Sequence, residues 1–581
     1  MSERIFIGVA WPYANGPLHL GHVAGAYLPA DIFARYHRAK GNEVLMVSGS
    51  DQHGTPITIK AEQEGKKPGE IAGQFHQQFL NSWRKLGISF DLFTTTETAN
   101  HAEVTHDIFL TLLDKGYIYK SIVSQAFCPN CQRFLPDRYI EGTCPNCQAK
   151  GARGDQCDAC GKPMNPEELI EPRCRICGTT PQFKDSEHFF LKLSEFQGRL
   201  LDWVKEKKYW RPNVLNLTMR YLNEGLRDRA ITRDIEWGVS VPVDGFENKR
   251  IYVWFEAVIG YLSAAKEWAK ATGDEDKWRS FWEKDGGARS YYFIGKDNIP
   301  FHTLIWPAML MGYNDNLNLP YDIPANEFLT IEGRKLSTSR NWAVWLPDYL
   351  SRYDPDPLRY LLSINMPEAG DTDFSWREFV RRNNDELVAT YGNLVNRVLT
   401  FVYRNFNGCV PEHSKYNEVR EYLESLDPQK DLGTTNILDD LSMNVIEDAK
   451  EDFRKVDTNL SVCQFKQAIT QVMHLAQQAN QYLDKKSPWK IIKEDKQAAA
   501  DSLYVALYII SCLKTMLYPF LPFSAQKLHE YLGFEGKVED YGWRLTPPPA
   551  GQKLLPPQPL FTKLDEKLIE KETSRVGQAY H

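Results

Sequence analysis

His19 and His22 stand three residues apart in Trp11-Pro-Tyr-Ala-Asn-Gly-Pro-Leu-His-Leu-Gly-His22, a spacing that puts two imidazoles on one face of a helix. An apolar strand, Ile5 to Ala10, and an Asn15-Gly16-Pro17 turn come first, so a helix is expected to open near Leu18. In a first helical turn the unpaired N–H groups and the dipole favour phosphate. Gly21 removes a side chain where a flat purine would approach the backbone. The plainer reading is a pair of capping or surface histidines. A second polar cluster, Lys335-Leu-Ser-Thr-Ser-Arg340, follows Glu332-Gly-Arg and packs cations with hydroxyls. That mixture suits a mobile loop that closes over a triphosphate. Alone it would usually be solvent-exposed decoration; with the earlier histidines it points to chemistry at an α-phosphate.

Sulfur is the third signal. Eight of the 11 cysteines form four CxxC pairs: Cys128/Cys131, Cys144/Cys147, Cys157/Cys160 and Cys174/Cys177. A CxxC turn sets two thiolates at tetrahedral separation, and two turns complete a four-sulfur zinc site, so four turns imply two structural zincs with no open position for water. Disulfides fit poorly in a chain without a secretion signal, and redox pairs do not come four together. Three pairings of the knuckles are possible and spacing does not choose. The nested one joins Cys144, Cys147, Cys157 and Cys160 on one zinc and Cys128, Cys131, Cys174 and Cys177 on the other. Cys409, Cys463 and Cys512 read as buried inert thiols.

The elements that must position these groups read as an α/β fold. Strands at Ile5–Ala10 and Val44–Gly49 alternate with helical patterns over residues 1–117, the mark of βαβ units and a doubly wound parallel sheet. The cysteine-rich stretch, 118–228, interrupts it as an insertion. The α/β pattern resumes over 229–325, with strands predicted at Arg250–Phe255 and Ser290–Gly295. Residues 326–382 carry the lysine-bearing loop. From 383 to 535 the spacing of Leu387, Tyr391, Leu394, Val398 and Val402, and of Phe465, Ile469, Val472, Ala476 and Leu483, predicts a helix bundle. A proline-rich tail, 536–581, is expected to be extended. At 42% hydrophobic and 25% charged residues the composition is that of a globular protein, and a net charge of −7 argues against wholesale coating of nucleic acid, although Arg377, Arg381 and Arg382 form a local basic cluster. No uninterrupted run approaches the roughly 20 apolar residues of a membrane span, and Met1-Ser-Glu-Arg-Ile enters a strand at once, so a cytoplasmic protein without membrane attachment is expected.

The histidine pair and the lysine-bearing loop resemble the HIGH and KMSKS signatures of class I aminoacyl-tRNA synthetases, and the surrounding words resemble the methionyl-tRNA synthetase family. The match includes the opening run, Asp51-Gln-His-Gly-Thr-Pro56, Phe134-Leu-Pro-Asp-Arg138, Arg233-Asp-Ile-Glu-Trp-Gly238, Tyr252-Val-Trp254, Gly295-Lys-Asp297 with Phe301-His302, and Ser487-Pro-Trp489. The resemblance implies methionine–tRNA ligase activity, with Mg-ATP, L-methionine and methionine tRNA as partners. It implies that His19, His22, Lys335 and Arg340 act in catalysis, and that Tyr13, Asn15, Gly21, Lys335, Ser337 and Thr338 contact ATP. Asp51 would hold the amino-acid ammonium with help from the backbone near Trp11. Tyr13, Trp254, Ala257, Tyr261, Phe301, His302 and Trp306 would line the side-chain pocket, supported by Asp297. Aromatic walls suit a polarisable thioether, with an imidazole or phenol nearby as a weak donor to sulfur. Asn393, Arg397 and Trp489 would read the CAU anticodon.

Two positions depart from the family pattern. Thr338 stands where the loop usually has lysine, so Lys335 and Arg340 must supply the cationic charge; Val258 stands where proline is expected. Another class I synthetase or an HxGH adenylyltransferase is the alternative. The first would need a larger editing insertion in the isoleucine, valine and leucine enzymes, and the second leaves the zinc insert and helical domain without purpose. A non-catalytic zinc-knuckle RNA-binding module would leave the two nucleotide motifs unused. Relatives that dimerise carry an extra C-terminal domain, so a monomer is expected.

Overall fold

The computed structural model describes residues 2–578, apart from 137–138, 155–156, 158, 161–163, 165 and 426–436. Its centre is a five-stranded parallel sheet in the order Ala325–Asn326, Arg289–Gly295, Arg4–Val9, Glu43–Ser50, Leu92–Thr95. Strand residues 5–9 are nearly all apolar because both faces are covered. Ile5, Ile7 and Val9 enter one core with helices Leu28–Ala39 and Pro68–Leu86; Phe6 enters the other, with Val253–Thr272 and Ala99–Asp114. The strand order reverses beside Arg4–Val9, which opens a crevice at the carboxyl ends of the strands. Residues 10–13, Asp51 and the segment after Gly295 all follow strands that end there.

The insertion lies between the sheet strands Leu92–Thr95 and Arg289–Gly295. Ile118–Cys128 pairs antiparallel with Gln182–Leu191 along its length, within a four-stranded sheet, and a separate three-stranded sheet is built from Ile140–Thr143, Lys150–Arg153 and Ile170–Cys174. One expected strand is corrected. Only Arg250–Ile251 is extended, pairing with Thr232–Arg233 outside the central sheet; from Val253 the chain is helical to Thr272. That run is apolar on most sides, and a short apolar run does not distinguish a buried helix from a buried strand.

The predicted stripe Leu387, Tyr391, Leu394, Val398 and Val402 is buried, on an element that winds as π-turns over Asn383–Gly392 before continuing as an α-helix, Asn393–Asn405. Helices Asp440–Ser461, Phe465–Lys486 and Lys496–Leu517 pack around it. Lys496–Leu517 is, by length and composition, apolar enough to cross a bilayer, which the search for an uninterrupted apolar run passes over; 94% of its apolar window lies inside the bundle. The tail turns back toward the catalytic sheet. Leu564 N–H donates to Asn384 Oδ1 (2.8 Å), a helix forms at Lys567–Thr573, and Gly577 N–H reaches Asn341 O (3.1 Å).

Candidate active site

His19 is not inside a helix: its backbone is extended (φ −129°, ψ 169°) and it caps the short helix Leu20–His22. Its N–H donates to His22 Nδ1 (3.2 Å), and His22 N–H donates to His19 Nδ1 (3.4 Å), which stacks the two rings at 3.7 Å between centroids. Burial, and for His19 also the neighbouring imidazole, pushes both pKa values down, His22 to about 4. A neutral imidazole whose Nδ1 accepts must carry its proton on Nε2. The reciprocal cap therefore fixes both rings as Nε2–H donors at neutral pH. The capping reading and the catalytic one are thus the same arrangement.

The segment that follows the lysine-bearing loop pairs with the backbone around these histidines, and Leu336 of the loop lies beside Gly21. Leu346 N–H donates to Leu18 O (2.8 Å) and Leu20 N–H to Val344 O (3.1 Å), with His19 bridged to Trp345. Lys335 ends the strand Arg334–Lys335, which pairs with Leu329–Ile331, and Ser337 and Trp342 exchange backbone hydrogen bonds across the turn. Lys335, Thr338 and Arg340 are exposed. A Cβ on Gly21 would lie 3.0 Å from both Leu336 Cδ1 and His19 Nδ1. A leucine methyl and an imidazole therefore fill the direction a side chain at Gly21 would take, while its backbone lines the neighbouring cavity.

A cavity of about 250 Å³ lies beside the pair, lined by Trp11, Tyr13, Gly21, His22, Asp51, Trp254, Ala257, Tyr261, Phe301 and His302, with Val258 among them. The Tyr13–Asp51 bridge joins the ends of two neighbouring sheet strands: Ala14 N–H donates to Asp51 O (2.8 Å) and Asp51 N–H to Pro12 O (2.9 Å). Trp254 stacks on Phe301 at 4.4 Å and meets Tyr13 edge-on at 6.0 Å. The Trp11 indole fits only because residues 49 and 260 are glycine; a Cβ at either would come within 2.4 Å or 2.8 Å of its ring. Burial, then Glu256, raises the Asp51 carboxyl well above its ordinary pKa, while His53 pulls it down.

Not every expected residue reaches this cavity. Trp306 is wholly buried behind it, its Nε1–H donating to Tyr292 Oη at 3.2 Å, because residues 306–313 form a helix buried on most sides. Asp297 is exposed on the turn after the strand, outside the lining. The expected weak donor to sulfur is also absent from this arrangement. His302 is neutral, held to about 4 by burial, and its Nδ1–H donates to Asn298 O (2.9 Å), so Nε2 accepts the Tyr261 hydroxyl proton at 2.7 Å. Both polar hydrogens are spent on protein. Ala10, Gly25, Ala26, Tyr27 and Asn298 line the cavity unforeseen. A π-turn at Val23–Tyr27 aims Tyr27 inward, and no residue pattern announces such a turn. Asn15 instead lines an adjoining cavity of about 320 Å³ with His53, Arg233, Trp237, Tyr252 and Glu256; Tyr13 and Trp254 separate the two.

The family model of class I tRNA synthetases (M) matches residues 5–399, and that of the anticodon binding domain of methionyl tRNA ligase matches 435–579. A curated methionine–tRNA ligase of Dehalococcoides mccartyi is 61% identical over 577 residues, covering 99% of this chain and 100% of the relative. One from Thermomicrobium roseum is 50% identical over 602 residues, covering 99% of each. The chain belongs to the class I methionyl-tRNA synthetases. It is an aminoacyl-tRNA-forming methionine ligase. Methionyl-tRNA synthetase of Mycobacterium tuberculosis, solved in complex with methionyl-adenylate, superposes with a TM-score of 0.76 at 25% identity, over 96% of this chain and 99% of that one.

The sulfur groups also assemble, in the nested pairing that spacing left open. Cys128, Cys131, Cys174 and Cys177 form one group and Cys144, Cys147, Cys157 and Cys160 the other, each able to hold a metal ion. Sγ atoms lie 3.4 Å (Cys128–Cys177), 3.9 Å (Cys131–Cys174), 3.9 Å (Cys144–Cys160) and 3.6 Å (Cys147–Cys157) apart. Tetrahedral Zn–S bonds of about 2.3 Å require sulfurs about 3.8 Å apart, and no disulfide links the described cysteines. Of the motif at 134–138, Asp137 and Arg138 lie outside the described residues.

In the helical part of this synthetase, Arg397 lies over the Trp489 ring at 4.5 Å and reaches Asp484 Oδ1 at 3.3 Å. Trp489 is half-buried on the turn Pro488–Ile491, begun by Ser487 in the left-handed region (φ 44°); Asn393 is exposed one turn before Arg397. Two of the three arginines of the expected basic cluster are paired locally: Arg381 with Glu378 and Glu386, and Arg382 with the same two.

Proposed function

We propose that this ligase activates L-methionine with Mg-ATP and passes it to the 3′-terminal adenosine of methionine tRNAs, initiator and elongator. The convergence of the His19/His22 pair with the 335–340 loop carries this reading, since in-line transfer at an α-phosphate needs donors on both sides of it. Asp51 takes the ammonium in the cavity walled by Trp11, Tyr13, Trp254, Ala257, Tyr261, Phe301 and His302. A methionine carboxylate oxygen attacks the α-phosphorus, the bond to pyrophosphate breaks, and methionyl-adenylate remains. His19 and His22 donate from Nε2 to phosphate oxygens, while Lys335 and Arg340, with Ser337 and Thr338, close over the triphosphate from an exposed loop. Mg2+ enters with ATP. The 2′-hydroxyl of the terminal adenosine then attacks the adenylate carbonyl and AMP leaves. No protein nucleophile takes part.

Two structural zincs fit the two sulfur groups, one each, and would order an insertion with little apolar core of its own. Asn393, Arg397 and Trp489 form the anticodon-reading surface, the Arg397–Trp489 stack leaving one ring for a base. The domains divide at 117/118, 228/229, 325/326, 382/383 and 535/536, and the enzyme acts as a cytoplasmic monomer. Amino-acid-dependent ATP–pyrophosphate exchange across all twenty amino acids tests the central claim. Exchange with methionine and essentially none with leucine, isoleucine or valine is expected; exchange with another amino acid, or none at all, overturns it.

A further inference from the structure

The segment that carries Asp51 is pinned at nearly every polar atom. Gln52 N–H donates to Thr96 Oγ1 (3.0 Å), Trp237 Nε1–H donates to Gln52 O (2.7 Å), and Gln52 Nε2 reaches Ser50 Oγ (3.0 Å). His53 N–H donates to Asp51 Oδ1 at 3.1 Å. The His53 ring goes elsewhere: Nδ1 lies 2.9 Å from Glu256 Oε1 and Nε2 lies 2.5 Å from Glu97 Oε1. His53 and Glu256 are both buried, at 3% and 0% side-chain exposure. Glu256 Oε2 faces His101 Nε2 at 3.4 Å, and His101 Nδ1 is 2.9 Å from Ser263 Oγ. Glu256 sits on the helix Val253–Thr272, between Trp254 and Ala257.

We propose that His53 is a positioning residue for the amino acid, an imidazolium strut that joins the Asp51 segment to the Trp254–Tyr261 helix through Glu256. It thereby fixes the distance between the ammonium subsite and the side-chain subsite. This rests on the roles given above to Asp51 and the aromatic wall. The two subsites lie on different elements, a strand end and a helix, and this buried ion pair runs between them from immediate neighbours of residues in both. A neutral imidazole carries one N–H and cannot donate to two carboxylates at once, whereas an imidazolium donates from both nitrogens. Burial alone would lower the His53 pKa, but Glu256 and Glu97 raise it to about 10, so the strut is charged throughout the working range. The groups facing it are Glu256 on the helix, Glu97 after the strand Leu92–Thr95, and Asp51 on its own segment, with His101 behind Glu256. Its charge also opposes protonation of Asp51, which Glu256 favours.

The test is His53→Gln in methionine-dependent ATP–pyrophosphate exchange. The KM for methionine is expected to rise about tenfold with kcat and the KM for ATP within about twofold, a loss of substrate binding rather than of transition-state contacts. The acid limb of the methionine KM should also move to higher pH, because Asp51 loses its nearby cation. An unchanged methionine KM, or equal rises for methionine and ATP, overturns the proposal. Should His53→Gln fail to fold, Glu97→Gln removes one carboxylate at a partly exposed position; a methionine-specific rise of about threefold is expected, and no rise overturns the strut. Asp51→Asn separates the two layers. If it leaves the methionine KM unchanged, the ammonium-site reading falls and the strut with it; if it raises that KM while His53→Gln does not, only the strut fails.

Discussion

The two imidazoles at 19 and 22 gain their chemistry from each other, since each caps the other's backbone and so fixes which nitrogen keeps its proton. In the proposed mechanism Lys335 and Arg340 supply the loop's cationic charge, because Thr338 stands at the position of the usual second lysine. Lys335→Ala should slow adenylate formation at least tenfold, about 1.4 kcal/mol of barrier; a pre-steady-state rate within threefold of wild type would remove Lys335 from the mechanism. Asp51 gives a pH signature. Burial and Glu256 hold its carboxyl pKa above the ordinary value, and an arriving ammonium favours the anion. Methionine affinity should therefore weaken as pH falls through that raised pKa, with a proton released on binding below it. Calorimetry across a pH series in buffers of different ionisation enthalpy measures that proton; no release anywhere on the acid limb of methionine binding contradicts it.

At the scale of the element, the cysteine-rich insertion and the anticodon-domain helices separate from the catalytic half in what their loss should cost. Elemental analysis is expected to find two zincs per chain. Cys147→Ser should leave one, because Cys147 belongs to the group that lacks Cys128, Cys131, Cys174 and Cys177; loss of both on that single change would mean the groups are not independent. Trp489 is half-buried beneath Arg397. Trp489→Ala should raise the KM for tRNA by tenfold or more, on the order of 1–3 kcal/mol for a lost base stack, and leave pyrophosphate exchange intact. Equal loss in both assays would make Trp489 a packing residue only. The helix Val253–Thr272 begins inside a segment expected to be a strand over 250–255; as a helix it brings Trp254, Ala257, Val258 and Tyr261 to one cavity and Glu256 to His53, the last a contact the sequence did not suggest.

Across the whole molecule, the catalytic sheet and the helix bundle are joined by a buried guanidinium. Arg359, fully buried, donates to Asp31 Oδ2 (2.7 Å), Phe520 O (2.7 Å), Pro519 O (2.9 Å) and Leu86 O (3.3 Å). Arg359→Ala takes one of two guanidinium partners from Asp31, which keeps Arg35 and Ser89, and removes a donor from three carbonyls; it should cost about 3 kcal/mol, measured by denaturant unfolding, and a cost below 1 kcal/mol would mean the bundle docks without it. Burial by itself would raise the Asp31 pKa, but Arg35, Arg359 and Ser89 bring it down to about 2, below its ordinary 3.8. A carboxylate lowered in the folded state stabilises above its unfolded pKa, so this contribution is present above pH 3.8 and is lost as pH falls toward 2.

The residues alone announced the parallel sheet, the inserted run of CxxC pairs and the helical stripe, because each is written in local spacing: apolar runs of strand length, CxxC turns, and i, i+3/i+4 recurrence. Tertiary structure decided which CxxC pairs come together and that Leu336 lies on Gly21. It also put Trp306 behind the cavity, spent the Tyr261 hydroxyl on His302, and coupled His53 to Glu256. These are pairings between residues far apart in the chain, selected by which atoms the packed helices and strands bring within hydrogen-bond reach, and no local pattern records that choice.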